Sequence, residues 1–285
     1  MILMANAMMG AAGYQAAAAG TGYTWLLKTT SSDAAYQMES AGATANWEAV
    51  YDADGTLIEN ATGEDPVFDL SGNTGNAIVA IRTTDAITAS ATDVASGWRE
   101  QFVTSFDASA LTSVTNCSLA WLGNQLTLFD ASALTSVTDC NGAWFNNQLT
   151  SFDASALTSV TDCSDAWHNN QLTSFDASAL TSVTNCSAAW HNNQLTSFDA
   201  SGFATMGAPA PNCFFFAWTG GTNALDQASV ESIFVNIDLS GQNAPAFGTS
   251  IDISSDGSTL TSAAQTAVTS LKAKGWVPTV NGVAL

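Results

Sequence analysis

Five aspartates recur at one position of a repeating unit: Asp107, Asp130, Asp153, Asp176 and Asp199. Around Asp153 stand Thr150, Ser151 and Ser155, with near-copies around the others. If the unit starts with a strand, these side chains share one face, and neighbouring rungs lie about 4.8 Å apart. Carboxylates that close repel by about 1 kcal/mol per pair in water, and more where solvent is excluded. No Lys or Arg lies between Glu100 and Leu271 to relieve them. Three outcomes are open: hydroxyl and backbone hydrogen bonds, raised carboxyl pKa values, or Ca²⁺ held by Asp130, Asp153 and Asp176. No consensus calcium loop is present. The Asp column with Ser and Thr beside it is the candidate ligand surface.

Other columns carry weaker chemistry. Trp121, Trp144, Trp167 and Trp190 hold one repeat position, and a Trp at an inward step is expected to be core rather than a sugar platform. His168 and His191 follow Trp in two rungs and stand one rung apart, a spacing compatible with a metal or a pH response. The run Asn169, Asn170, Gln171 is expected to form a side-chain ladder that satisfies backbone groups at a corner. Thr135, Thr158 and Thr181, with Thr138, Thr161 and Thr184, form regular hydroxyl arrays of the kind found on ice-binding solenoids, although no T-x-T strand pattern is present. Cys117, Cys140, Cys163 and Cys186 share another position, and Cys213 fits the next unit. They read as reduced, inward-facing thiols rather than disulfides or zinc ligands. No Ser-His-Asp set, phosphate loop or HExxH motif is visible, so no catalytic residue is assigned and the chain reads as a non-enzyme.

A tandem repeat positions all of these groups. Leu149–Gln171 and Leu172–Gln194 differ at only two of 23 positions (Asp162/Asn185 and Asp165/Ala188). So short a fixed period implies a solenoid, in which each unit buries its apolar face against its neighbours. The expected architecture is α/β: a leucine-rich-repeat solenoid over 101–225, a small N-terminal β-rich domain over 23–100, and a C-terminal mixed α/β cap over 226–285. Strands are expected at Tyr23–Lys28, Ala45–Tyr51 and Ala77–Thr83, with Trp25 and Trp47 in that domain's core and a polar turn-rich stretch at Ile58–Pro66. A capping unit should begin near Asp85. The fifth repeat is irregular: Met206 takes the Val place and an insertion carries Pro209 and Pro211. In the cap, helices are expected at Ala228–Ile237 and Thr259–Lys274, and strands at Thr249–Ile253 and Trp276–Val280.

The chain has 285 residues, 46% of them hydrophobic and 11% charged, with a net charge of −20 and five Lys and Arg. That balance excludes nucleic-acid binding through a basic patch. Residues 1–22 lack the basic n-region of a signal peptide and are too interrupted for a membrane span. They are expected to be an assembly segment held by another subunit, which implies a homo-oligomer or a larger particle.

The unit LTSFDASALTSVTNCSAAWHNNQ resembles the BspA-type leucine-rich repeat, whose units look like LTSIDLSNLTNVTNMSNMFYNC. The match covers roughly Val103–Leu225, and the tail from Gln227 onwards looks like the cap that often follows such repeats. The chain departs in having Ala where Leu is usual after Asp, and Trp where Phe is usual. The resemblance implies a bacterial surface adhesin or a related phage structural protein. The expected function is a virion structural and recognition protein, a tail or capsid appendage. It would contact other virion proteins through its N-terminal segment and a cell-surface ligand through its repeats. A bacterial cell-surface adhesin or scaffold, extracellular rather than in a virion, is one alternative; an ice- or glycan-binding solenoid is the other.

Overall fold

The computed structural model describes residues 94–285 apart from 96, 101, 107, 109, 110 and 258, together with strand backbone within residues 23–82. The expectations for residues 1–22, for the side chains of Trp25 and Trp47, and for Asp107 lie outside the described residues.

Six strands precede the repeats: β1 (Tyr23–Thr29), β2 (Tyr36–Gln37), β3 (Asn46–Tyr51), β4 (Leu57–Glu59), β5 (Val67–Phe68) and β6 (Ala77–Arg82). The three expected strands appear within a residue or so. The stretch from Ile58 to Pro66, read as turns, begins inside β4. With β7 (Val103–Phe106) they form a five-stranded sheet of order β4-β3-β6-β1-β7, while β2 and β5 pair separately. β1 runs antiparallel to β7, with Leu27 opposite Phe106. The first strand of the repeat region is therefore also an edge of the N-terminal sheet, and the boundary drawn between residues 100 and 101 cuts through shared structure.

From Val94 to Leu225 the chain stacks in rungs, each hydrogen-bonded to the next. Thr138, Thr161 and Thr184 donate backbone N–H to the carbonyls of Thr115, Thr138 and Thr161. Trp121, Trp144 and Trp167 donate to Ala143, Ala166 and Ala189 on the opposite neighbour. Gln125, Gln148, Gln171 and Gln194 donate to Val103, Leu126, Leu149 and Leu172. After β7, regular strand among the described residues of the rungs is confined to short parallel stretches, β8 (Ser174–Asp176) and β9 (Ser197–Asp199), with Phe175 opposite Phe198. The rest of each rung is tight turns, as the steps of three predicted.

Those steps point the apolar residues inward. Leu149, Leu157, Val160, Cys163, Ala166 and Trp167 are all fully buried, as are their equivalents one rung away. Each such Leu or Val contributes about 1.5–3 kcal/mol by leaving water. The indoles of Trp98, Trp121, Trp144, Trp167, Trp190 and Trp218 stack almost parallel at 5.6–5.7 Å. Between them sit Phe rings, with Phe175 at 4.7 Å from Trp167 and Phe152 at 5.2 Å. The Trp column is core, not a sugar platform. The indole N–H groups of Trp121, Trp144, Trp167, Trp190 and Trp218 are buried with no oxygen or nitrogen acceptor.

Beyond β9 come a 3₁₀ turn (Ser201–Thr205), helix α1 (Gln227–Leu239), β10 (Ser250–Ile253), helix α2 (Ser262–Ala273), β11 (Val277–Val280) and β12 (Val283–Ala284). Asp226 caps α1 by accepting from Ser229 N–H, and Thr261 caps α2 through Ala264 N–H. Cap-forming Thr261 is what shortens the second helix from the expected start at Thr259. β10 pairs with β11 in parallel, and Trp218 bridges to Ile253, so this unit continues the stack and covers its last rung.

Candidate recognition surface

Tight turns need residues that accept left-handed backbone, and the repeat supplies them in two columns. Leu119, Gly142, Asp165, Ala188 and Phe216 all have φ between 51° and 58°. Gly123, Asn146, Asn169, Asn192 and Gly220 have φ between 53° and 74°. Asn and Gly tolerate that region; Leu, Ala and Phe are strained there by about 1–2 kcal/mol.

These turns separate the two asparagines of the Asn-Asn-Gln run. Asn169 takes the turn. Asn170 is buried, donates Nδ2–H to the carbonyls of Trp144 and Trp167 at 2.9 and 3.1 Å, and accepts Leu149 N–H at 3.0 Å. Asn124, Asn147, Asn193 and Asn223 repeat the arrangement. The expected corner ladder is real, but it is built by the second Asn alone. Gln171 contributes its backbone N–H to Leu149 O.

On the strand face the Asp column is exposed and regular. Asp130, Asp153, Asp176 and Asp199 each accept a backbone N–H from the Ser two residues on, at 2.8–2.9 Å. The Ser155 hydroxyl and N–H hold the Asp153 carboxyl below its ordinary range. At Asp153, then, hydrogen bonding outweighs the effect of burial, and the carboxyl moves opposite to the raised value considered from sequence. Thr150, Ser151 and Ser155 are exposed beside it. Among the described residues no three His, Cys, Asp or Glu side chains converge closely enough to hold a metal ion, the Asp130, Asp153 and Asp176 column included. At the end nearest the cap the face deepens into an open pocket of about 550 Å³. Phe175 and Phe198 line it with the carboxylates of Asp176, Asp199 and Asp226. Ser229 and Ser232 of α1 also line it, and they tie it to the rungs by accepting the N–H groups of Phe198 and Ala200.

The Thr arrays divide in the same way. The hydroxyls of Thr138, Thr161 and Thr184 donate to the carbonyl one rung back at 3.0–3.1 Å, so they serve the stack. Thr135, Thr158 and Thr181 are exposed. All five cysteines are free and buried. Burial pushes the thiols of Cys140, Cys163 and Cys186 up, and that of Cys213 up to about 12. The Cys163 thiol donates a hydrogen bond to Cys186 Sγ at 3.4 Å, and both cysteines are free.

One column escaped the sequence reading. Asn116, Asp139, Asp162 and Asn185 form successive parallel bridges. Asn185 Nδ2 donates to Asp162 Oδ2 at 3.0 Å. The Asp/Asn difference between otherwise near-identical rungs was the available signal: an amide beside a carboxylate gives a hydrogen bond where two carboxylates would repel.

No family model matches the chain, and no curated protein matches it. Among solved structures it is similar to one described as the functional domain of InlJ from Listeria monocytogenes, which includes a cysteine ladder. Identity is 20% and the TM-score 0.36, over 61% of this chain and 38% of that one. The chain thus spans well under half the length of that protein. The stacked rungs, inward Leu columns and Asn ladder described above define, by their own geometry, an array of leucine-rich-repeat type.

Proposed function

We propose that this chain is a non-enzymatic structural and recognition protein that displays its exposed Asp, Ser and Thr face as an adhesive surface. The observation that carries the reading is repetition. Asp130, Asp153, Asp176 and Asp199 present the same carboxylate in the same turn, rung after rung. A catalytic site needs unlike groups converging on one point; a lattice of like groups suits weak, distributed contacts that sum through multivalency. No cofactor is assigned. The BspA-like repeat pattern suits either a virion appendage, anchored to other virion proteins through residues 1–22, which is the first reading, or a bacterial surface adhesin, which is the second. Immunolabelling of native particles tests the first: label on purified virions supports it, and label confined to cell envelopes sinks it. Binding of the chain to intact host cells tests adhesion. The Asp153→Asn, Asp176→Asn double variant should bind more weakly but measurably, and unchanged binding would remove the Asp face from the reading.

A further inference from the structure

The C-terminal cap carries a second cleft, of about 500 Å³, that shares no residue with the Asp face. Part of its wall is a stripe of α2: Gln265, Val268, Thr269 and Lys272, spaced i, i+3, i+4 and i+7 and therefore on one helix face. Val230 of α1, Leu260, Val280 of β11 and Leu285 complete the apolar lining. Val230 and Val268 are buried at its base, and Leu285 is held there by its N–H on Pro278 O at 3.1 Å. Small-molecule sites are of this size and kind, about 300–1,000 Å³ and mostly apolar, with a few polar groups that fix orientation.

The polar rim is largely spent on the cap itself. Gln265 gives its amide to Leu260 O at 3.0 Å, and Thr269 gives its hydroxyl to Gln265 O at 2.9 Å. Lys272 is different. Arg99 and Lys274 are paired with Glu100 and Asp238, whereas Lys272 is exposed and makes no ion pair among the described residues. Glu231 follows Val230 in α1 but stands off the lining. Its Oε1 accepts Thr261 N–H and Gln227 Nε2–H, and its Oε2 accepts the Thr261 hydroxyl. The cleft between β8, β9 and α1 is lined by three carboxylates and two Phe rings. Among the described residues this one is lined by a single cation, aliphatic side chains, no carboxylate and no aromatic ring. On a chain of net charge −20 that is the inverse of the prevailing surface.

We propose that this cleft binds a free, unbranched aliphatic carboxylate, its tail on the Val and Leu side chains and its head group on Lys272 Nζ. One cation matches a singly charged head. The head lies at the rim and keeps water on its outer side, so the charge pair contributes selectivity while tail burial contributes most of the affinity.

The test is titration of the full chain with octanoate and decanoate, each below its micelle-forming concentration, read by backbone amide chemical shifts. The expected result is saturable shifts at Val268, Thr269, Lys272, Val280 and Leu285, with the Trp144 and Trp167 amides unmoved. Affinity should rise with each added methylene toward the about fourfold of full burial. Lys272→Gln should weaken octanoate by about two- to fivefold, the scale of an exposed ion pair, and leave octanol binding unchanged. Thr269→Trp, at an exposed rim position, should block the cleft and remove the shifts. Shifts absent from these residues or spread over the chain, an affinity indifferent to tail length, or octanoate binding untouched by Lys272→Gln overturns the proposal. Binding to anionic phospholipid vesicles without any to the free carboxylates also overturns it. Should Thr269→Trp fail to fold, Lys272→Gln decides.

Discussion

Replacing Asn170 by Ala should be among the most damaging single changes to a polar residue in this chain, and replacing its neighbour Asn169 should be mild. Asn170 is 7% exposed and satisfies three backbone groups: Leu149 N–H and the carbonyls of Trp144 and Trp167. Alanine orphans the Leu149 N–H, while the Trp144 and Trp167 carbonyls lose one donor each but keep Asn147 Nδ2 and Asn193 Nδ2. The orphaned N–H costs at least about 1 kcal/mol and each lost carbonyl bond adds about 0.5 kcal/mol or more, so the expected loss is about 2 kcal/mol or more. Asn169 accepts one bond, from Asn192 Nδ2 at 2.9 Å, and adopts φ 55°. Asn169→Gly forfeits that partly exposed bond but suits the backbone, so the net change should stay within about 1 kcal/mol. Urea unfolding followed by far-UV circular dichroism, with slopes compared to confirm that one transition is read, separates the two. Equal midpoints for the two variants, or an Asn170→Ala loss under about 1 kcal/mol, would refute the ladder's energetic role.

Trp167→Ala should cost about 3–5 kcal/mol, the range for a large aromatic leaving a core, whereas Trp167→Phe loses no conventional hydrogen bond and should cost well under half of that; denaturant midpoints compare them. Ala188→Gly relieves φ 51° at a position where another rung already uses Gly142, and should raise stability by about 0.5–1 kcal/mol in the same assay. Native thiols should react with a chromogenic disulfide far more slowly than unfolded ones, since all five are buried and the pKa values of Cys140, Cys163, Cys186 and Cys213 are raised; rapid labelling of any of them contradicts the inward column. The depressed Asp153 carboxyl contributes stability above its unfolded pKa of about 3.9 that is lost as pH falls through the lower folded value. The midpoint difference between wild type and Asp153→Asn should therefore close only in acid.

The repeat made the inward columns legible because burial follows spacing: a period of 23 fixes which Leu, Val, Cys and Trp face the stack whatever the detailed turns. The outward chemistry was less legible, because residue type alone does not say which hydroxyl or amide the stack itself consumes. Asn169 and Asn170 are adjacent and identical, yet one is a turn former and the other a buried ladder rung. Thr135 and Thr138 look equivalent, yet only Thr138 bonds its neighbour. The distinction arises from left-handed turns at Gly123, Asn146 and Asn169, whose Asn-to-Gly exchanges between rungs were the one visible clue. The continuation of the N-terminal sheet into β7 was hidden for another reason. Antiparallel pairing of β1 with β7 joins residues far apart in sequence, and local pattern carries no information about such partners.

What stacking does not consume is what recognition can use. Each Asn of the ladder is saturated, each of Thr138, Thr161 and Thr184 is engaged, and one oxygen of each strand-face Asp is turned back on its own Ser. Asp153, Asp176 and Asp199 are exposed and Asp130 half-buried, on a repeat surface without Lys or Arg. The lattice is thus acidic, with one carboxylate in the Asx turn of each of these rungs. Selection for stacking alone would be met by Asn at these positions, since Asn accepts the same Ser N–H without the charge, as Asn116 and Asn185 do in the neighbouring column. Asp in place of Asn at each of these rungs is the feature that stacking does not explain.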